Sequence, residues 1–342
     1  MKKKNPYELR LVAWELTQAC PLKCGYCRAK SRKTRDANEL SFEECKRLID
    51  DIVSFSRPIL ILSGGDPVLR PDMIPIAEYA TRKNLRTVCA TTGMLLDDEK
   101  VKEMKGSGIL RVSISFDSAS EKKHDAVRGE KGAFKKAVEA TELLKNNEME
   151  FQINCTITTE NADEIPSILE MAAELGATGL HFFLIVPTGR ARDAKKFALD
   201  SERYDEVLQY LAGVKETAPL DIKLTCAPHF QRIIAERGEK KRRHQLSGCL
   251  AGTSFVFVSH TGEVKPCGYL DVVCGNVREK SLKDIWNNSE ILQELRDRES
   301  FDGTCGICEF REICGGCRAR AYEINGSYTG EEPFCSYVPK NC

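Results

Sequence analysis

Cys20-Pro21-Leu22-Lys23-Cys24-Gly25-Tyr26-Cys27 stands directly after the apolar run Leu9–Thr17. The spacing C-x3-C-x2-C offers three thiolates and no fourth. That suits an iron–sulfur cubane with one iron left open better than a structural zinc site, which takes four protein ligands. The octapeptide decides the fold through its place in the chain, because it closes the first of a series of strand candidates. These are Leu9–Thr17, Ile59–Leu62, Arg86–Ala90, Arg111–Phe116, Glu150–Thr158, Gly179–Val186 and Asp221–Thr225. Helical patterns alternate with them: Cys45–Phe55 behind the capping box Ser41-Phe42-Glu43-Glu44, then Asp97–Lys105, Ala133–Lys145, Asp163–Leu175 and Ser201–Glu216. Repeated βα units with near-continuous apolar strands predict an α/β fold with a parallel sheet covered by helices. Six such units in about 200 residues are too few for a closed eight-stranded barrel and predict a partial (β/α)6-type one, with its chemistry just after each strand.

The whole chain has 342 residues, 51 Lys and Arg against 51 Asp and Glu, and 16 cysteines. A net charge of zero removes the usual electrostatic argument for a nucleic-acid partner. No stretch approaches the ~18 apolar residues of a membrane span. The basic start Met1-Lys2-Lys3-Lys4 runs into Leu11-Val12-Ala13-Trp14-Glu15, so no uncharged secretory core develops. A cytoplasmic location is therefore expected, and the cysteines are read as ligands or buried small hydrophobes rather than disulfides. Cys45, Cys89 and Cys155 lie far apart and fall in the buried class. After residue 225 the pattern changes. A helix near Pro228–Ala235 leads into the charged segment Glu236–His244, and from Cys249 on helical periodicity is sparse apart from Ser281–Arg298. The expected division is residues 1–225 for the barrel, 226–248 for a linker with a bridging helix, and 249–342 for a cysteine-rich domain held together by inorganic staples.

With an aromatic residue, Tyr26, before the third cysteine, the triplet resembles the defining motif of radical S-adenosylmethionine (SAM) enzymes. The resemblance implies that Cys20, Cys24 and Cys27 hold a [4Fe–4S] cluster whose open iron binds SAM, and that SAM is cleaved to a 5′-deoxyadenosyl radical. Other segments are similar to that family's cofactor-binding loops. Ser63-Gly64-Gly65-Asp66-Pro67 is similar to Gly-Gly-Glu-Pro at the SAM amino group, with Asp66 one methylene shorter than the usual Glu. Ser115 and Asp117 resemble a ribose-facing pair, and Arg128 the arginine at the SAM carboxylate. Thr91-Thr92-Gly93 departs from the family's Thr-Asn-Gly, which leaves its contribution doubtful.

Near the C-terminus, Cys249-x12-Gly262-x4-Cys267, then Cys305-x2-Cys308-x5-Cys314-x2-Cys317, then Cys335, resembles the SPASM extension with its auxiliary [4Fe–4S] clusters. The departure is Gly315-Gly316 where three residues are commoner. By that resemblance Cys305, Cys308, Cys314 and Cys335 would hold one cluster, and Cys249, Cys267 and Cys317 another, open or completed by Cys226 or Cys274. A zinc ribbon is the alternative for the tight cysteine group taken alone. Cys342 is read as idle.

Trp14-Glu15-Leu16-Thr17, Val186–Arg192, Thr225-Cys226-Ala227-Pro228-His229 and Cys314–Tyr322 look like the tetrapyrrole-modifying members, closest to the AdoMet-dependent haem synthases of the sirohaem-based route. That likeness implies oxidative decarboxylation of two propionates of iron-coproporphyrin III to vinyl groups, giving haem b, with a low-potential flavodoxin or ferredoxin as electron donor. Propionates need cations. Arg190, Arg192, His229, Arg318 and Arg320 lie in the resembling segments, and His229 is alternatively a ligand for the substrate iron. The competing expectations are the preceding deacetylase step, a peptide-maturing SPASM enzyme, and a non-catalytic iron–sulfur or zinc protein.

Overall fold

The computed structural model describes residues 7–192, 196–238 and 248–340. The charged run from Glu239 to His244 and Cys342 lie outside the described residues. The elements follow in the order β1 (Leu11–Glu15), α1 (Phe42–Phe55), β2 (Ile59–Ser63), α2 (Met73–Arg82), β3 (Arg86–Thr91), α3 (Asp98–Gly106), β4 (Val112–Ser115), α4 (Glu121–Arg128) and α5 (Ala133–Asn146). Then come β5 (Phe151–Ile157), α6 (Ile165–Glu174), β6 (Gly179–Leu184), α7 (Ser201–Val214), β7 (Asp221–Thr225) and α8 (His229–Glu236). The C-terminal part adds β8 (Phe255–Val258), β9 (Glu263–Lys265), β10 (Gly275–Asn276), α9 (Leu282–Asn288), α10 (Glu290–Arg296), α11 (Gly303–Ile307) and α12 (Arg318–Asn325). All seven strands expected from the barrel half are present, each end within two residues of its expected place. The capping box is formed as read: the Ser41 side chain accepts from Glu44 N while the Glu44 carboxylate accepts from Ser41 N. The run Ser281–Arg298 is broken at Ser289, whose extended backbone ends α9 and starts α10.

The strands form one sheet in the order β10-β9-β8-β1-β2-β3-β4-β5-β6-β7. Every neighbouring pair from β8 through β1 to β7 is parallel, and β9 and β10 are antiparallel additions at one edge. Two faces with different chemistry result from the period-2 alternation of strands. In β5, Phe151, Ile153, Cys155 and Ile157 are buried, whereas Gln152, Asn154 and Thr156 face the half-open side. In β6, Leu180, Phe182 and Leu184 are buried and His181 and Phe183 alternate with them. Helices cover the apolar face, and Cys45, Cys89 and Cys155 belong to that core. The cysteine-rich part is tied into the same sheet, because β8 runs parallel to β1 in the register Leu11↔Phe255 to Trp14↔Val258.

Candidate iron–sulfur and cofactor site

Parallel βα geometry delivers the ends of β1 to β5 to one rim, and the loops there lock together. Gly65 N donates to Thr17 O at 2.7 Å and Asp66 N to Ala19 O at 2.7 Å. A Cβ on Gly64 would lie 2.5 Å from Thr17 O, and one on Gly65 2.3 Å from Ala19 O, so only glycine lets this loop rest on the backbone leading into Cys20. Asp66 is fully buried. Its carboxylate accepts from Thr91 Oγ1 at 2.8 Å, from Thr92 N at 3.1 Å and from Thr92 Oγ1. Burial raises its pKa against these hydrogen bonds. The two threonines that looked doubtful in the sequence thus hold the carboxylate that looked one methylene too short. The clue was their place, one strand further along at the same rim.

Cys20 and Cys24 are buried and Cys27 is half-buried, all three as free thiols. Burial pushes Cys20 up to about 12, with Asp66 and the other two cysteines adding to it. Leu22 N donates to Cys20 Sγ at 3.4 Å and Arg128 Nη1 to Cys24 Sγ at 3.8 Å. Arg128 also pairs with Asp117 Oδ2 at 2.6 Å, and the same oxygen accepts from Tyr26 Oη at 2.5 Å. Asp117 Oδ1 takes Thr156 N at 3.1 Å. Tyr26, Asp117 and Arg128 therefore form one buried network against Cys24, with Arg128 Nε the buried donor left without a partner. Ser115 ends β4, half-buried and level with Asn154 of β5.

The C-terminal cysteines separate into two groups. Cys305, Cys308, Cys314 and Cys335 line one small cavity together with His229 and Arg232. Backbone N–H groups donate to these sulfurs, Glu332 N to Cys305 at 3.3 Å and Gly316 N to Cys314 at 3.5 Å. In the other group the Cys226 thiol hydrogen-bonds to Cys317 and holds it down at about 7. Cys249 and Cys267 lie within electrostatic reach of Cys317, and Cys267 of Cys226. Cys226 reaches this place from a left-handed backbone, φ 58°. Cys274 points elsewhere, toward Ser289 and Arg296. Among the described residues no three His, Cys, Asp or Glu side chains converge as they would on a single metal ion. All-sulfur sets spread around a space and met by N–H donors fit a cubane, whose corners keep the sulfurs apart.

The five cations read from sequence as substrate contacts are all engaged by the protein itself. Arg190 donates to Cys24 O at 2.8 Å and Ser31 O at 3.0 Å, bracing the cysteine loop. Arg318 is 1% exposed and donates to Gly330 O at 2.6 Å and Cys305 Sγ at 3.4 Å. Arg320 is fully buried in an ion pair with Glu332 at 2.9 Å and donates to Tyr204 Oη at 2.9 Å. His229 is buried with Nδ1 3.2 Å from Tyr204 Oη, and burial lowers its pKa to about 4. Their carbonyl and carboxylate partners come from irregular segments, which carry no periodic signal. Arg192 pairs with Glu323 at 3.1 Å, yet it is more than half exposed and alone of the five borders an open cleft, lined also by Arg28, Lys30, Lys265 and Tyr269 and by the carboxylates of Glu15, Glu263 and Asp271. Tyr269 lies within electrostatic reach of Cys226, Cys267 and Cys27, so this cleft adjoins both cysteine regions.

The Radical SAM superfamily matches residues 14–172, and the SPASM iron–sulfur cluster-binding domain matches residues 249–318. The chain is 43% identical over 340 residues to the "AdoMet-dependent heme synthase" of Methanosarcina barkeri, covering 96% of this chain and 97% of that one. It is 30% identical to the "Fe-coproporphyrin III synthase" of the same organism, covering 99% of this chain and 89% of that one. Its fold is similar to Streptococcus suis SuiB bound to S-adenosylmethionine, with a TM-score of 0.77 at 17% identity over 97% of this chain and 78% of that one.

Proposed function

The chain belongs to the AdoMet-dependent haem synthase family of radical SAM enzymes with a SPASM domain, and from that premise we propose that it oxidatively decarboxylates two propionates of iron-coproporphyrin III to vinyl groups, forming haem b. The observation that carries this reading is the 43% identity from end to end with a haem synthase, against 30% with the Fe-coproporphyrin III synthase. When bound, SAM and its [4Fe–4S] cluster would supply hydrogen-atom abstraction chemistry for the propionate, and an auxiliary cluster would supply an acceptor for the one electron that decarboxylation to a vinyl group and CO2 releases.

Cys20, Cys24 and Cys27 would hold the SAM cluster. Cys226, Cys249, Cys267 and Cys317 would hold one auxiliary cluster, and Cys305, Cys308, Cys314 and Cys335 the other. Gly64 and Gly65 leave room at the rim, and Asp66 fixes that loop through Thr91 and Thr92. Tyr26, Asp117 and Arg128, in their network against Cys24, would orient SAM together with Ser115 at the end of β4. The cleft bordered by Arg28, Lys30, Arg192 and Lys265 would take the substrate carboxylates in exchange for Glu15, Glu323 and Asp271, the carboxylates with which Arg28, Arg192 and Lys265 pair. A flavodoxin or ferredoxin is the class of donor that would reduce the triplet's cluster, and the cytoplasm is where such oxygen-labile groups would be kept. Among the described residues no helix is long and apolar enough to cross a membrane.

The test is turnover. Anaerobically reconstituted protein, reductant and SAM are incubated with iron-coproporphyrin III and followed by mass. Two successive losses of one carboxyl group plus one hydrogen are expected, with 5′-deoxyadenosine formed alongside. Deoxyadenosine without those losses, or turnover of a different tetrapyrrole or a peptide instead, would overturn the reading.

A further inference from the structure

The cavity of Cys305, Cys308, Cys314 and Cys335 has one ring nitrogen at its wall that the protein does not use. His229 lines it, is 2% exposed, and its Nε2 is a buried atom with no hydrogen-bond partner. An unmet polar atom in such a place is destabilising unless a ligand meets it. The other ring nitrogen, Nδ1, is 3.2 Å from Tyr204 Oη, and the two rings meet edge to face at 5.0 Å.

Tyr204 has one hydroxyl proton and two acceptors within reach, Cys226 O at 3.0 Å and His229 Nδ1 at 3.2 Å, while Arg320 donates to its oxygen at 2.9 Å. Four cysteine sulfurs gathered on a cluster make the cavity electron-rich. A lone pair turned toward it is repelled and an N–H is attracted, so the cavity selects the tautomer protonated on Nε2, with Nδ1 accepting from Tyr204. Arg232 also lines the cavity; its Nη atoms are committed to Asp205 and Glu236, and its Nε is a second buried donor without a partner.

We propose that His229 is a positioning residue for the auxiliary cluster of Cys305, Cys308, Cys314 and Cys335: its Nε2–H donates to a cluster sulfur and favours the reduced, more negative state. Hydrogen bonds to sulfur raise the reduction potential of iron–sulfur clusters. Through Tyr204 the same histidine is linked to Arg320, which donates to the Tyr204 oxygen and pairs with Glu332, and Glu332 accepts from Cys317 N in the other cysteine group, so one buried polar chain joins the histidine to both groups. The inference rests on the proposed ligand set, and the experiment separates the two.

The measurement is an EPR-monitored redox titration of full-length, anaerobically purified protein carrying Cys20→Ala, Cys24→Ala and Cys27→Ala, which silences the N-terminal cluster. His229→Leu should keep its iron and sulfide and shift the midpoint of one auxiliary signal to more negative potential, whereas His229→Gln, which retains an N–H donor, should restore most of that shift. In the protein with His229 intact, that signal should carry an exchangeable proton coupling that D2O removes. Unchanged potential and proton coupling in His229→Leu would overturn the proposal. So would a histidine nitrogen coupling large enough for direct iron ligation, read with 15N-labelled histidine. If Cys305→Ala leaves iron and sulfide content unchanged, the ligand set fails, and that outcome is distinct from a failure of His229 to act on an intact cluster.

Discussion

The two cysteine regions are supported in different ways. The N-terminal triplet sits on a loop at the end of β1, backed by glycines pressed onto its backbone and faced by the Tyr26, Asp117 and Arg128 network. It has three sulfurs, and the next charged group, Arg128, is a cation beside Cys24 rather than a fourth sulfur. The C-terminal cysteines come as two groups of four, walled by backbone N–H donors and fixed by the buried pair Arg320 and Glu332. Three sulfurs leave a coordination position for a reactant, and four close it. On the proposed ligand sets, one region would do chemistry on a ligand and the other would hold electrons.

The largest effect should come from breaking the triplet. Cys24→Ala removes one of three thiolates, with no spare sulfur in the loop to replace it. Formation of 5′-deoxyadenosine should fall below detection, and iron content should drop by about four atoms per chain. SAM cleavage at the rate of the unchanged protein would place the reactive cluster elsewhere.

A second substitution tests whether the C-terminal region is two groups of four. Cys226 hydrogen-bonds to Cys317, whereas Cys274 lies beside Ser289 and Arg296. Cys226→Ser should therefore lower iron and sulfide by up to one cluster and reduce haem formation at least tenfold while SAM cleavage persists. Cys274→Ser should leave all three unchanged. The reverse pattern would exchange the two cysteines in the assignment.

Stability offers a third contrast. Arg320 and Glu332 are both fully buried, and Glu332 also accepts from Cys317 N at 2.6 Å. Removing one partner leaves a buried charge uncompensated, so Arg320→Met should cost about 3–5 kcal/mol in chemical denaturation of the reconstituted protein. Burial pushes the Glu332 carboxyl up, but Arg320 and its hydrogen bonds outweigh that and hold it below the usual range. A depressed folded pKa gives stability that is complete above the unfolded value of about 4.3 and is lost as pH falls through the folded one. Acid unfolding of Glu332→Gln should lose that component of the pH dependence.

The barrel half was legible because its signal is local. Alternation in Phe151–Ile157 and the capping box at Ser41 mark an element within a few residues. What sequence could not supply is pairing between distant segments. Nothing in Phe255–Val258 announces that it lies beside Leu11–Trp14, since any short apolar strand would read the same way. The arginines show the same limit. Arg192 and Arg320 each end an Arg-Ala-Arg tripeptide, yet one borders a cleft and the other is sealed against Glu332, a residue in an irregular tail. The choice between Cys226 and Cys274 turned on a left-handed backbone at a non-glycine residue, which residue type does not predict.

The smallest effect probes the side of the comparison that looked weakest. Thr92 supplies two of the donors on Asp66, one from its side chain and one from its backbone. Thr92→Val keeps the shape and the backbone donor but removes the hydroxyl, leaving Thr91 to satisfy the buried carboxylate. A buried acceptor losing one of several donors costs about 1–2 kcal/mol. If Asp66 serves only to fix the loop against Ala19, this loss should appear as a lower melting temperature and a modest rise in the KM for SAM with kcat nearly unchanged. If Asp66 instead contacts SAM directly, freeing it from Thr92 should leave SAM binding as tight or tighter. The sign of the KM change therefore decides whether the shortened carboxylate at the reactive rim is part of the wall, as the C-terminal ion pair is, or part of the ligand site.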